Sequence, residues 1–210
     1  MKLLTESQLF PPLKAFQLAL ECNHWMVEAH ENYNKGSYRN KYEVLGANGP
    51  ILLTVPLVKG KHRNQLISEV LISHTENWQS QHLRTLQSCY GKSPYFEEYY
   101  PALQSILETR FDRLLNLNKK ALEVICELLG FPIPVSITSD YIFPGDIDAN
   151  SIKDYRDALK VNGDWKKNAY KQYPQIFMEK QGFVPHLSIL DLLFCKGPEA
   201  VLYLKSDFTL

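Results

Sequence analysis

The spacing of apolar and polar residues changes period several times along the chain, and each change predicts an element. Residues 3–7 predict a short first strand. Apolar side chains then fall at Leu9, Phe10, Leu13, Phe16, Leu18 and Leu20, which is the recurrence of a helical face. Pro11-Pro12 suits the entry to that helix, because proline has no N–H to lose there and its φ is already set; the helix is predicted over residues 12–21. Residues 24–31 alternate instead, with Trp25, Val27 and Ala29 on one face and His24, Met26, Glu28 and His30 on the other, the period of a strand with one packed and one polar face. A strand, helix, strand start predicts parallel pairing.

Residues 38–45 and 51–58 read as strands around Gly46-Ala47-Asn48-Gly49-Pro50, where Asn-Gly offers the positive φ of a tight hairpin. Pro56 cannot donate to a ladder, so the second strand ends near it or lies at an edge. Residues 66–72 predict a further strand. The period then becomes helical: Thr75 is a candidate cap for a helix over 76–90 that Gly91 stops. Residues 101–129 predict one long helix or a helix pair, closed by Gly130 and Pro132. Residues 135–141 read as a short strand, 143–173 as a loop with short helices, and 187–194 as a helix capped by Ser188 and stopped by Gly197-Pro198, followed by a last helical turn. The expected fold is α/β or α+β: a mixed sheet with a parallel N-terminal strand-helix-strand start, an antiparallel hairpin section, and a helical middle and C-terminus. One domain over 1–210 is expected, with the sheet mainly in 1–75 and 135–142, helices in 76–130, the loop-rich segment in 143–173 and the C-terminal helix in 186–196.

Composition narrows the function classes. The 210 residues are 45% hydrophobic and 22% charged, ordinary for a globular chain and unlike a disordered or collagenous one. Twenty-three basic residues balance 23 acidic ones, so no general basic field is present to hold nucleic acid. No apolar run approaches the roughly 18 to 20 residues that span a bilayer, and the first residues lack the apolar core of an export signal; a cytoplasmic location is expected. Cys22, Cys89, Cys126 and Cys195 are scattered without CxxC spacing and are expected to be reduced, structural thiols.

The densest polar cluster is His30-Glu31-Asn32-Tyr33-Asn34-Lys35-Gly36-Ser37-Tyr38-Arg39-Asn40. Following a parallel strand, it begins where open α/β sheets place ligands. His30 is the candidate base and Glu31 its orienting group or an alternate acid. Lys35 and Arg39 are candidates to hold an anionic group, and Tyr33, Tyr38 and Trp78 to stack against a sugar or base; Asn40 and His82 complete the candidate set. The plain alternative is a solvated loop in which Asn and Gly make turns. The basic loop 59–63 could grip a diphosphate or be a solvated turn. His24 and His30 lie about 20 Å apart at strand rise, too far to share a metal, and no HExxH, CxxC, GxGxxG, Walker or GxSxG pattern occurs. No metal site and no cofactor is named by these spacings. Asp191, an acid within an apolar helix, is expected to bond a cap, an arginine or loop backbone.

Leu9-Phe10-Pro11-Pro12, His30-Glu31-Asn32-Tyr33, Ser37-Tyr38-Arg39-Asn40, Leu45-Gly46-Ala47-Asn48-Gly49-Pro50, Thr54-Val55-Pro56, Trp78-Gln79-Ser80-Gln81-His82, Tyr90-Gly91-Lys92-Ser93-Pro94-Tyr95-Phe96, Gln175-Ile176-Phe177 and residues 182–194 occur in order. With these segments the chain resembles the WbqC-like protein family over nearly all its length. The resemblance implies a bacterial cytoplasmic protein concerned with O-antigen or related surface polysaccharides, and carries no catalytic residue set with it. The family pattern would place Asn at His186 and an acid at Lys196. The expected function is a transferase-like enzyme acting on an activated sugar, such as a nucleotide sugar, or another small anionic precursor; the alternative is a non-catalytic binding or assembly factor of the same pathway.

Overall fold

The computed structural model describes residues 1–58, 64–167 and 171–205; the basic loop 59–63 lies outside them. The start of the chain folds as its periodicity predicts. Strand β1 (Lys2–Glu6), helix α1 (Leu13–Leu20) and strand β2 (His24–Glu28) form a unit in which the strands run parallel, Lys2 opposite His24 and Glu6 opposite Glu28. Strands β3 (Lys41–Gly46) and β4 (Gly49–Thr54) form a separate antiparallel hairpin. Of the Asn-Gly pair only Gly49 takes a positive φ, +118°. Helices α2 (Trp78–Tyr90), α3 (Phe96–Glu108) and α4 (Leu114–Leu129) follow, then β5 (Val135–Ile137), β6 (Ile152–Asp154), α5 (Met178–Gln181), α6 (Ile189–Lys196) and α7 (Ala200–Lys205). The main sheet has the order β5-β2-β1-β6, parallel throughout. The fold is therefore mixed α/β, with a parallel sheet, an antiparallel hairpin and a helical middle and C-terminus.

Several elements differ from their expected form for identifiable reasons. Residues 38–40 make a 3-10 turn rather than the start of a strand, because the Ser37 hydroxyl accepts the Arg39 N–H at 3.4 Å. Residues 66–72 are not a strand: a 3-10 turn over Ile67–Glu69 is flanked by single bridges from Leu66 to Asn32, Ile72 to Leu57 and Leu71 to Arg113. Asn77, not Thr75, caps α2, accepting the Ser80 N–H at 3.4 Å. The run 101–129 is a helix pair whose first member begins at Phe96 and contains Pro101 in its second turn; Gly130, at φ +55°, ends the second in the left-handed conformation that glycine adopts without steric cost. Strand β6, three residues long, lies inside the stretch read as loop and completes the sheet edge beside β1. Three residues are too few to show a period.

The core packs Phe16 edge-on to Trp25 and Phe131 at 5.2 and 5.3 Å between centroids, an arrangement aromatic rings favour. Ser188 caps α6 as expected, accepting the Leu190 N–H at 3.3 Å. Its neighbourhood ties the two ends of the chain together: Ile189 N–H bonds Pro11 O at 3.0 Å, Leu13 N–H bonds Leu187 O at 3.1 Å, and the Ser188 hydroxyl donates to Phe10 O at 2.9 Å. Asp191 is fully buried, and its partners are neither arginine nor cap. The hydroxyls of Tyr173 and Tyr90 donate to it at 2.6 and 2.9 Å, and the Gln175 amide at 2.9 Å. Burial raises its pKa, and those three donors counter the rise. The four cysteines are free thiols.

Candidate functional site

All four parallel strands deliver their carboxyl ends to one region, where open parallel sheets bind ligands. Glu6 ends β1, Glu28 ends β2, Thr138 follows β5, and Arg156 and Asp157 follow β6. A cleft of about 640 Å³ opens there, lined by His30, Glu31, Asn32, Tyr33, Asn34, Asn64, Tyr141, Phe143 and Asp157.

Beneath the cleft sits a buried charge network. Arg39 is fully buried and holds Glu31 through two bonds, Nε to Oε1 at 2.9 Å and Nη2 to Oε2 at 2.5 Å. Its Nη1 donates to Asp157 Oδ1 at 2.9 Å, which also accepts from the Asn34 amide at 3.1 Å. Glu6 accepts the Asp157 backbone N–H at 2.9 Å, and Asp157 stands at φ +58°, a conformation that Asn, Asp and His adopt more often than other non-glycine residues. Glu31 and Asp157 thus share one guanidinium, and Glu6 acts on it through its charge without a direct bond. Burial raises Glu31 to about 7, against the opposing pull of Arg39, with Glu6 and Asp157 adding to the rise. Burial raises Glu6 as well, opposed by Arg39 and by the Gln8 amide. Burial works to lower Arg39, but the Glu31 carboxylate outweighs it and keeps the guanidinium charged. Arg39 thus stays cationic beside two carboxyl groups, Glu31 and Glu6, that burial raises.

A second cluster secures the outer side. Glu28, expected on the polar face of its strand, is wholly buried. It accepts the His30 backbone N–H at 3.0 Å, the Thr138 hydroxyl at 2.7 Å, the Ile142 N–H at 3.0 Å and Arg156 Nη1 at 3.2 Å. Arg156 also grips Asp154 at 3.0 and 2.7 Å and the Ile142 carbonyl at 2.7 Å, and lies 5.1 Å from the centroid of the Tyr141 ring. These bonds fix the loop that carries Tyr141 and Phe143. His30 itself bonds the Thr138 carbonyl through Nε2 at 3.2 Å. A carbonyl only accepts, so Nε2 carries the hydrogen and Nδ1 is the basic nitrogen.

Of the nine candidates read from sequence, His30, Glu31 and Tyr33 line this cleft. The structure does not give Arg39 to a ligand, since its three donor faces are occupied internally, and Glu31 is held by Arg39 rather than orienting His30. Asn40 lies behind the cleft, accepting the Tyr33 hydroxyl at 2.9 Å and donating to Val55 O at 2.9 Å. Tyr38 is buried against Glu43 at 3.0 Å. Lys35 is exposed beside Asn34 in the chain. Trp78 and His82 belong to the core under the hairpin: His82 bonds the Tyr42 hydroxyl at 3.1 Å and Thr54 O at 3.3 Å, and burial lowers its pKa to about 4. Asn64, Tyr141, Phe143 and Asp157 were not among the candidates, nor were Glu6, Glu28 and Arg156 behind them. The signal for Glu6 and Glu28 was an acid within each predicted parallel strand. Among the described residues, no group of three His, Cys, Asp or Glu side chains is placed to hold a metal ion, and no helix is long and apolar enough to cross a membrane.

The profile of the WbqC-like protein family matches residues 6–162 and 153–203. The chain belongs to the WbqC-like protein family. It is also 30% identical, over 96% of both chains, to the uncharacterised protein Rv1507c of Mycobacterium tuberculosis. No solved structure matches the chain. The family match begins at Glu6, the last residue of β1, and spans β2, β5, β6 and every described residue lining the cleft.

Proposed function

We propose that this WbqC-like protein is a transferase-like enzyme of bacterial surface-polysaccharide synthesis, and that the sugar of an activated precursor occupies the cleft. One observation carries the reading: the cleft sets aromatic faces against carboxylates and amides. Phe143 is 61% exposed and meets Tyr141 edge-to-face at 4.9 Å, while Glu31, Asp157, Asn32, Asn34 and Asn64 supply hydrogen-bonding groups. A sugar ring offers C–H faces to the first and hydroxyls to the second. The described residues lining the cleft offer carboxylates and amides, groups that suit the hydroxyls of a sugar, and Lys35 lies on the adjoining loop.

His30 Nδ1 takes the proton from the attacking hydroxyl as its oxygen bonds the anomeric carbon of the activated sugar; the bond from that carbon to the phosphate oxygen breaks, the nucleoside diphosphate leaves with that electron pair, and the Thr138 carbonyl steadies the resulting imidazolium through Nε2–H. Arg39 and Glu31 hold the floor rigid. The test is calorimetric titration with nucleotide sugars, their parent nucleotides and free sugars. Sugar-dependent binding, weakened about tenfold by Phe143→Ala, is expected; equal binding of the parent nucleotide, or indifference to Phe143→Ala, would overturn the placement. His30→Ala is expected to leave binding intact and lower turnover by roughly 10² to 10⁴. Binding with no turnover would favour the non-catalytic factor.

A further inference from the structure

The β3–β4 hairpin has one open edge. In an antiparallel pair, alternate residues turn both backbone groups toward the partner strand, and the residues between turn theirs away. The turn is Ala47-Asn48, so Gly46 and Gly49 are the first bonded pair, followed by Val44 with Ile51 and Tyr42 with Leu53. Leu45 and Glu43, between them, face out from β3: the Leu45 N–H bonds the Tyr90 hydroxyl at 3.0 Å, and the Glu43 carbonyl accepts the Ser188 N–H at 2.8 Å. The same alternation turns the backbone of Pro50, Leu52 and Thr54 out from β4, where no further strand is paired among the described residues. All three are exposed, Leu52 at 41% with Ile51 beside it at 38%. An exposed apolar edge of this kind is a template for another strand.

One carbonyl on the edge is already taken. His82 Nε2 donates to Thr54 O at 3.3 Å, while the Tyr42 hydroxyl donates to Nδ1. Pro50 has no N–H to give. The Pro50 carbonyl, both backbone groups of Leu52 and the Thr54 N–H have no partner among the described residues. These four groups match a second copy of the same edge. With two β4 strands antiparallel and Leu52 opposite Leu52, the leucines exchange N–H and carbonyl in both directions, and each Thr54 N–H meets the other chain's Pro50 carbonyl. The bond left out is the one proline cannot make, and the Thr54 carbonyl it would have reached already has His82. The partial charges along the edge are thus self-complementary. A shift of two residues one way leaves the Leu52 carbonyl facing proline, and the other way turns the Leu52 N–H to the occupied carbonyl.

We infer that β4 pairs with β4 of a second copy of this chain about a two-fold axis at Leu52, joining the hairpins into one four-stranded antiparallel sheet. The two Leu52 side chains then stand on one face, about 5.5 Å apart between Cα atoms, and cover each other. None of these residues lines the cleft, so the test does not depend on the proposed function. Sedimentation equilibrium of the full-length protein over a wide range of concentration is expected to show a monomer–dimer equilibrium. Amide hydrogen exchange is expected to slow at Leu52 and Thr54 as concentration rises, and to change least at Ile51 and Leu53, which already bond β3. Leu52→Lys, which sets like charges across the axis, is expected to weaken the dimer about tenfold. A chain monomeric at every concentration, exchange at Leu52 independent of concentration, or a dimer indifferent to Leu52→Lys would overturn the assignment. The exchange measurement uses the unaltered protein, so it stands even if Leu52→Lys fails to fold.

Discussion

Arg39 meets Glu31 in a two-point ion pair, 2.9 and 2.5 Å long, with the arginine wholly inside the protein. A side chain whose type and position suggest ligand binding is instead the structural floor of the cleft. Removing one partner of such a pair leaves an uncompensated buried charge, which costs about 3 to 5 kcal/mol. Arg39→Ala is therefore expected to lower the free energy of unfolding by that amount in urea titrations. A loss of ligand affinity with unchanged stability would contradict this role.

The pH dependence of stability has two limbs of opposite sign. Glu31 is raised to about 7 in the folded state, so between its unfolded value and 7 the folded chain binds the extra proton. Its contribution is complete at low pH and is lost as pH rises toward 7. Glu31→Gln is expected to flatten this limb, measured by urea midpoints between pH 5 and 8.

His82 works the other way, since burial lowers it to about 4. Below its unfolded value of 6.5 the unfolded chain takes up a proton that the folded chain refuses. Stability falls as pH drops from 6.5 to 4, by on the order of 3 kcal/mol in all. His82→Gln is expected to remove that acid limb, and an unchanged profile would show that His82 titrates freely.

Asp191 is satisfied by Tyr90, Tyr173 and Gln175. Tyr90→Phe and Tyr173→Phe are each expected to cost about 1 to 3 kcal/mol by leaving a buried carboxylate short of a donor. Asp191→Asn in the Tyr173→Phe background is expected to recover part of the loss, which a double-mutant cycle reads directly.

His186 stands at φ +72°, a left-handed backbone that Asn tolerates better than most residues. His186→Asn is expected to keep stability within about 0.5 kcal/mol, and His186→Val, whose branched Cβ fits that conformation poorly, to cost about 1 to 3 kcal/mol. Equal melting temperatures for the two variants would show that the backbone there relaxes.

The sequence by itself determined the elements that local chemistry controls. The β1-α1-β2 start follows from two periods and a proline pair, the hairpin from Asn48-Gly49 between two β-rich runs, the close of α4 from Gly130, and the start of α6 from Ser188. It also placed His30, Glu31 and Tyr33 at the end of a parallel strand, and so found one side of the cleft. Tertiary structure decided the rest, because the rest depends on residues far apart in the chain. Residues 152–154 become a strand only because β1 is there to pair with them. Arg39 becomes floor rather than ligand-binding cation because Asp157, 118 positions away, reaches it together with Glu31. Glu28, on the polar side of an alternating pattern, is buried because Thr138, Ile142 and Arg156 arrive from β5 and β6 to bond it. Spacing along the chain records which face a side chain takes, and only packing supplies the partner that allows a charge on that face to be buried.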